Sequence, residues 1–115
     1  MKDNNNMITN EIEKLAIRVV TLKAICEQAY SVFEQAESKA MQSGREAWQA
    51  REARLKPEMA QKIISAEKAE IEAWEVATQA RKEFHRAESE VELATDVLWR
   101  AVTRNIIAKS YTEKQ

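Results

Sequence analysis

The sequence predicts an all-α fold, a long antiparallel Ala-rich coiled-coil helical hairpin, and three observations carry that expectation. The 115 residues include 18 Ala and 17 Glu but one Gly and one Pro, whereas strand folds need Gly, Pro, Asn and Asp at turns every eight residues or so. Small and apolar residues recur at alternating spacings of 4 and 3 through Ile8, Ile12, Leu15, Val19, Leu22, Cys26, Ala29, Phe33, Ala36 and Ala40. That is the 3.5-residue period of helices that wind about each other. In the second half, Ala66, Ala73, Ala80, Ala87, Ala94, Ala101 and Ala108 occupy every seventh position. A row of methyl groups lets a facing helix approach toward the close end of the roughly 8–10 Å range of interaxial distances.

The elements follow in order. Residues 1–7, MKDNNNM, are polar and read as a disordered lead-in. The first helix is expected over 8–42, with Thr9 or Asn10 as N-cap and Glu11 and Glu13 in the first turn, where the helix dipole favours negative charge. Ser43-Gly44-Arg45-Glu46 has the form of a capping box, so a connecting helical segment is placed at 45–55. Pro57 suits the first turn of a new helix over 57–110, and 111–115 is a polar tail. The whole span 8–110 is one hairpin domain. Reversal near Pro57 makes the two arms nearly equal; the alternative turns the chain at Gly44 and leaves Pro57 as a kink.

A seam built of alanine buries little apolar surface, and the remaining apolar residues fall outside it. Ile17, Val20 and Ile25 belong to one such cluster with Leu93, Val97, Trp99, Val102, Ile106 and Ile107. A second comprises Met41, Trp48, Leu55, Met59, Ile64, Ile71 and Trp74, while Thr78 to Glu90 is apolar only at Ala80, Phe84 and Ala87. Helices apolar beyond one stripe are surrounded by other helices. Association into a larger helical bundle is therefore expected, with Trp74, Val97, Trp99, Val102 and Ile106 as self-association or partner-binding residues. The seam itself is assigned to Ala66, Ala73, Ala80, Ala87, Ala94 and Ala101.

Chemistry is sparse. His85 with Glu88 and Glu92 on one helix face has too few companions for a metal site, and the Glu-x-x-His signature of di-iron bundles fails because residue 82 is Lys. Cys26 falls on the seam as a small apolar residue. One Cys and one His cannot assemble a catalytic triad, and one Gly cannot make a phosphate loop. Two seam positions are polar: Glu70 and Asn105 could set the pairing of the helices, or Glu70 could simply be solvated. No catalytic, cofactor or metal residue is assigned.

Lys+Arg 18 against Asp+Glu 19 gives a net charge of −1, which disfavours a nucleic-acid partner. Charge is uneven, however. Arg45, Arg51, Arg54 and Lys56 surround Trp48 near the expected tip, and Arg and Trp are residue types that interface hot spots favour. These five are candidate partner-binding residues, or else a solvated tip. The chain opens without an apolar signal segment, has no apolar run of roughly 18 residues, and its lone Cys suits a reducing, cytoplasmic setting.

In length and coiled-coil shape, the hairpin resembles the small stalk and chaperone-like coiled-coil components of bacterial type III secretion and flagellar export. It is also similar to small phage-encoded proteins that inhibit a host factor. The first resemblance implies a non-enzymatic adaptor, stalk or chaperone-like part of a larger assembly, with a protein partner or a homo-oligomer. The alternative it leaves open is a phage- or plasmid-type protein that inhibits a host protein; a third is a weak nucleic-acid binder through the basic tip. None of these takes a small-molecule substrate or a membrane.

Overall fold

In the computed structural model, residues 2–53 and 59–113 are described, with side chains over 9–53 and 59–112. The chain forms two long helices, α1 over Lys2–Glu52 and α2 over Ala60–Glu113, and these pack antiparallel as a helical hairpin. Among the described residues there is no strand. The fold is thus the all-α, Ala-rich hairpin that the heptads imply.

Burial follows the 4-and-3 spacing closely. Of the described side chains, seven are buried, and six of them are alanines: Ala40, Ala47, Ala77, Ala80, Ala87 and Ala94, with Val19 the seventh. Ala40 and Ala47 are 0% exposed. The other described seam positions of α1, from Ile12 through Ala50, are half-buried. Nearly every position between them is exposed, which is how a two-helix contact differs from a multi-layer core. On α2, Ala66, Ala73 and Ala101 are half-buried, and Ala108 is exposed, so the Ala row stops packing one heptad before it stops in the sequence.

Several boundaries differ from expectation. The lead-in over 1–7 is helical from Lys2, and Thr9 and Asn10 lie inside α1 rather than capping it. Nothing in that segment blocks extension. It holds neither Gly nor Pro, and adding a residue to an existing helix avoids the cost of nucleation. The capping box at Ser43 does not form either, and 45–55 is no separate element: α1 runs through Gly44 to Glu52. Ser43 continues the seam from Ala40 to Ala47, and a mid-helix Gly costs only about 1 kcal/mol relative to Ala, less than interrupting the packed stripe. The chain therefore does not reverse at Gly44. After α1 the Ala53 N–H donates to the Gln49 carbonyl at 3.0 Å. Arg54, Leu55, Lys56, Pro57 and Glu58 lie outside the described residues, so the expected helix start at Pro57 does too. At the far end, Tyr111 to Glu113 of the expected tail are the last residues of α2.

Two compact units divide the hairpin. One combines α1 up to Cys26 with α2 from Arg86; its buried residues are Val19, Ala87 and Ala94, and Asp96 pairs with Arg100 one turn on at 3.0 Å. Cys26 is half-buried at its seam position. The other unit is Glu27–His85. Here the two phenylalanines meet across the helices: Phe33 stacks on Phe84 with centroids 6.2 Å apart and planes 9° apart, and Tyr30 tilts against Phe84 at 5.1 Å. Five threonines, Thr21, Thr78, Thr95, Thr103 and Thr112, turn their hydroxyls back to the carbonyl four residues earlier, which satisfies them without a tertiary partner.

Gly44 earns its place by what lies opposite. A Cβ built on it would sit 3.3 Å from Glu70 Oε1 and 3.6 Å from Glu70 Cδ. Glu70, the seam carboxylate, thus reaches across to α1 over the one residue without a side chain. Gly44→Ala adds helix propensity of about 0.8–1.0 kcal/mol and asks only the end of a flexible side chain to shift. The expected result is a melting temperature raised by about 3–5 °C, read by circular dichroism. A fall would mean that the Glu70 carboxylate is held fast.

Candidate functional site

Within the unit Glu27–His85, two residue stripes flank the seam on one side of the helix pair. On α1 the stripe reads Tyr30, Glu34, Glu37, Met41, Gly44, Trp48 and Arg51, at spacings of 4,3,4,3,4,3. On α2 it reads Ile64, Glu67, Ile71, Trp74, Thr78, Arg81 and His85, at 3,4,3,4,3,4. Residues at these spacings share one helix face. Two open, adjoining grooves join the stripes. The more apolar, about 790 Å³, is lined by Met41, Gly44, Arg45, Trp48, Glu70 and Trp74 among others. Its neighbour, about 600 Å³, is bordered by Arg51, Glu67, Ile71, Trp74 and Thr78.

The centre of this face is largely apolar and open to solvent, with Arg45 and Glu70 among the residues that line it. Trp48 is 57% exposed and Trp74 41% exposed, and Met41 and Ile71 are exposed beside them. Charged groups rim it. Arg51 donates from Nε to Glu67 Oε1 at 2.8 Å across the helices, and that bond, the Glu67 charge and the nearby Glu70 together hold the guanidinium pKa above its ordinary value despite slight desolvation. At the opposite edge a hydrogen bond to the Glu34 carboxylate, then the Glu34 charge, desolvation and Glu37, raises the Tyr30 phenol. Arg81 directs Nε at His85 Nε2, 3.4 Å away, and the His85 ring lies 5.6 Å from that of Phe84.

The assigned residues are distributed as follows. Arg45, Trp48 and Arg51 are exposed near the end of α1, with Arg51 engaged by Glu67; Arg54 and Lys56 lie outside the described residues. Trp74, assigned from sequence to a separate self-association set, shares a groove with Trp48. The rest of that set belongs to the other unit, where Trp99 and Ile106 are exposed, Val102 is half-buried, and Val97 lines a groove of about 320 Å³ with Leu15, Leu22 and Leu93. Gly44, Glu67 and the rim residues Glu34, Glu37 and Arg81 were not assigned to a site, and Ile71 was placed only in the apolar cluster with Trp48 and Trp74. Their signal was present in the stripe spacing, one position off the seam.

Among the described residues, no group of three His, Cys, Asp or Glu side chains is placed to hold a metal ion, and no helix is long and apolar enough to cross a membrane. Compared with family models, with curated proteins and with solved structures, the chain shows no match.

Proposed function

We propose that this chain is a non-enzymatic coiled-coil interaction protein that serves as an adaptor, stalk or chaperone-like component of a larger assembly. The observation that carries the reading is the open face around Trp48 and Trp74, two large aromatic side chains left half in solvent beside paired and unpaired charges. Exposed apolar clusters rimmed by polar residues are characteristic of interaction surfaces. Arg and Trp together are the types on which binding energy concentrates. A protein partner suits this rim better than nucleic acid does, since Arg51 is bound to Glu67 and the chain as a whole carries −1. A reducing, cytoplasmic setting accompanies the reading, with Cys26 unpaired on the seam.

Affinity capture with the full chain from bacterial lysate, using a Trp48→Ala, Trp74→Ala double variant as control, tests the proposal. One stoichiometric protein lost with the variant supports it. Recovery of nothing beyond the chain itself counts against an adaptor. Capture of a single enzyme whose activity then falls would favour the host-inhibitor alternative, for which the same face supplies the contact.

A further inference from the structure

We propose that the Trp48–Trp74 face docks a second copy of this chain, face to face about a two-fold axis, to close a four-helix bundle over the unit Glu27–His85. This deepens the interaction-protein reading by naming a partner. The argument rests on how charge is laid out around the apolar centre.

The face divides into four quadrants. On α1, Glu34 and Glu37 come before the apolar stretch and Arg51 comes after it; on α2, Glu67 comes before Ile71 and Trp74, and Arg81 comes after them. The helices are antiparallel, and the Arg51–Glu67 pair and the Phe33–Phe84 stack fix how they align. Arg51 is therefore level with Glu67 at one end, and Glu34 and Glu37 are level with Arg81 at the other. Quadrants on a diagonal carry the same sign, and adjacent quadrants carry opposite signs. A two-fold axis lying in the plane of the face, whether along the helices or across them, places each quadrant on one of opposite sign. An isologous contact requires a patch to be complementary to itself, and this arrangement satisfies that requirement at all four corners. An unrelated partner would need the same four-part pattern; a second copy already has it.

The area agrees. Trp48 at 57% and Trp74 at 41% exposure, with Met41 and Ile71, offer on the order of 400 Å² per copy. Two copies with their charged rims reach the roughly 1,000 Å² of a specific interface. The apolar centre supplies affinity, and the corners select the orientation.

Sedimentation velocity of the full chain over the micromolar range is the test. The expected result is a reversible dimer whose dissociation constant rises about 30-fold or more with Trp74→Ala. Reversing one acidic quadrant, with Glu34→Lys and Glu37→Lys together, should also weaken it while helicity by circular dichroism is unchanged, since neither side chain is among the buried residues. Mixing that variant with a copy carrying Arg81→Glu restores the dimer if the axis runs along the helices; mixing with Arg51→Glu restores it if the axis runs across them. A monomer at every concentration, or a dimer indifferent to both Trp74→Ala and the charge reversal, overturns the proposal. So does a monomer whose face is occupied instead by a different protein. A chain that dimerises here yet captures nothing from lysate removes the adaptor reading and leaves this one intact.

Discussion

Ala40→Leu is expected to destabilise the hairpin by about 3 kcal/mol, the upper end of the usual range for overfilling a packed site. Ala40 is 0% exposed and belongs to a core made almost wholly of methyl groups, so three added carbons have no space to enter. Its neighbours in the seam are equally small and cannot be displaced into a different rotamer, because alanine has none. The helices must separate locally, and the close approach along the adjoining Ala positions is lost with them. For a chain of 115 residues the melting temperature should drop by about 9–15 °C. Ala108→Leu is the internal control: that last member of the α2 Ala row is exposed, and the change should be nearly neutral. If Ala40→Leu melted like the parent, the helices would not be in close contact at Ala40.

Phe84→Ala is expected to cost about 3 kcal/mol, the lower end for removing a buried Phe, because the ring is half-buried rather than enclosed. Phe84 is the hub of the single aromatic layer in its unit and touches both Phe33 and Tyr30. Alanine there would extend the methyl row but leave Phe33 facing a gap, since α1 is held at the separation that the two rings set. Phe84→Leu, which refills most of that volume, should recover more than half of the loss. Both are read from urea unfolding, where a shifted midpoint with an unchanged slope marks lost packing and not a changed unfolded state. A loss below about 1 kcal/mol would show that the layer is ornamental to stability.

The fold was legible because its rule is local and repeated. Ile12 to Ala50 and Ile63 to Ala101 sit where alternate spacings of 4 and 3 place them, and burial follows position by position. Boundaries were less legible, because capping signals compete with continuation and tertiary packing decides between them. Ser43 and Gly44 look like a restart when read as neighbours; in the fold Ser43 is a half-buried seam member, and Gly44, one position off the seam, lies opposite Glu70. The candidate face was half legible. Met41, Trp48, Ile71 and Trp74 were placed in one apolar cluster, but their charged surroundings were not, because which charges come level across the two helices is a property of their pairing, not of either stretch alone. Once Arg51 is placed on Glu67, the two stripes and their charges fall into place.

A core of identical methyl groups carries a hidden ambiguity. Sliding one helix along the other by seven residues exchanges alanine for alanine, so the row by itself is translationally degenerate and cannot say which of several alignments is native. The degeneracy is lifted by the exceptions to the rule. A seven-residue slip would part Phe84 from Phe33 and bring it to Cys26 or Ala40, and it would take Glu70 off the only glycine. Both exceptions lie in the unit Glu27–His85. There the pairing has one well-defined minimum, so the few residues that interrupt the repeat determine which alignment the many alanines hold.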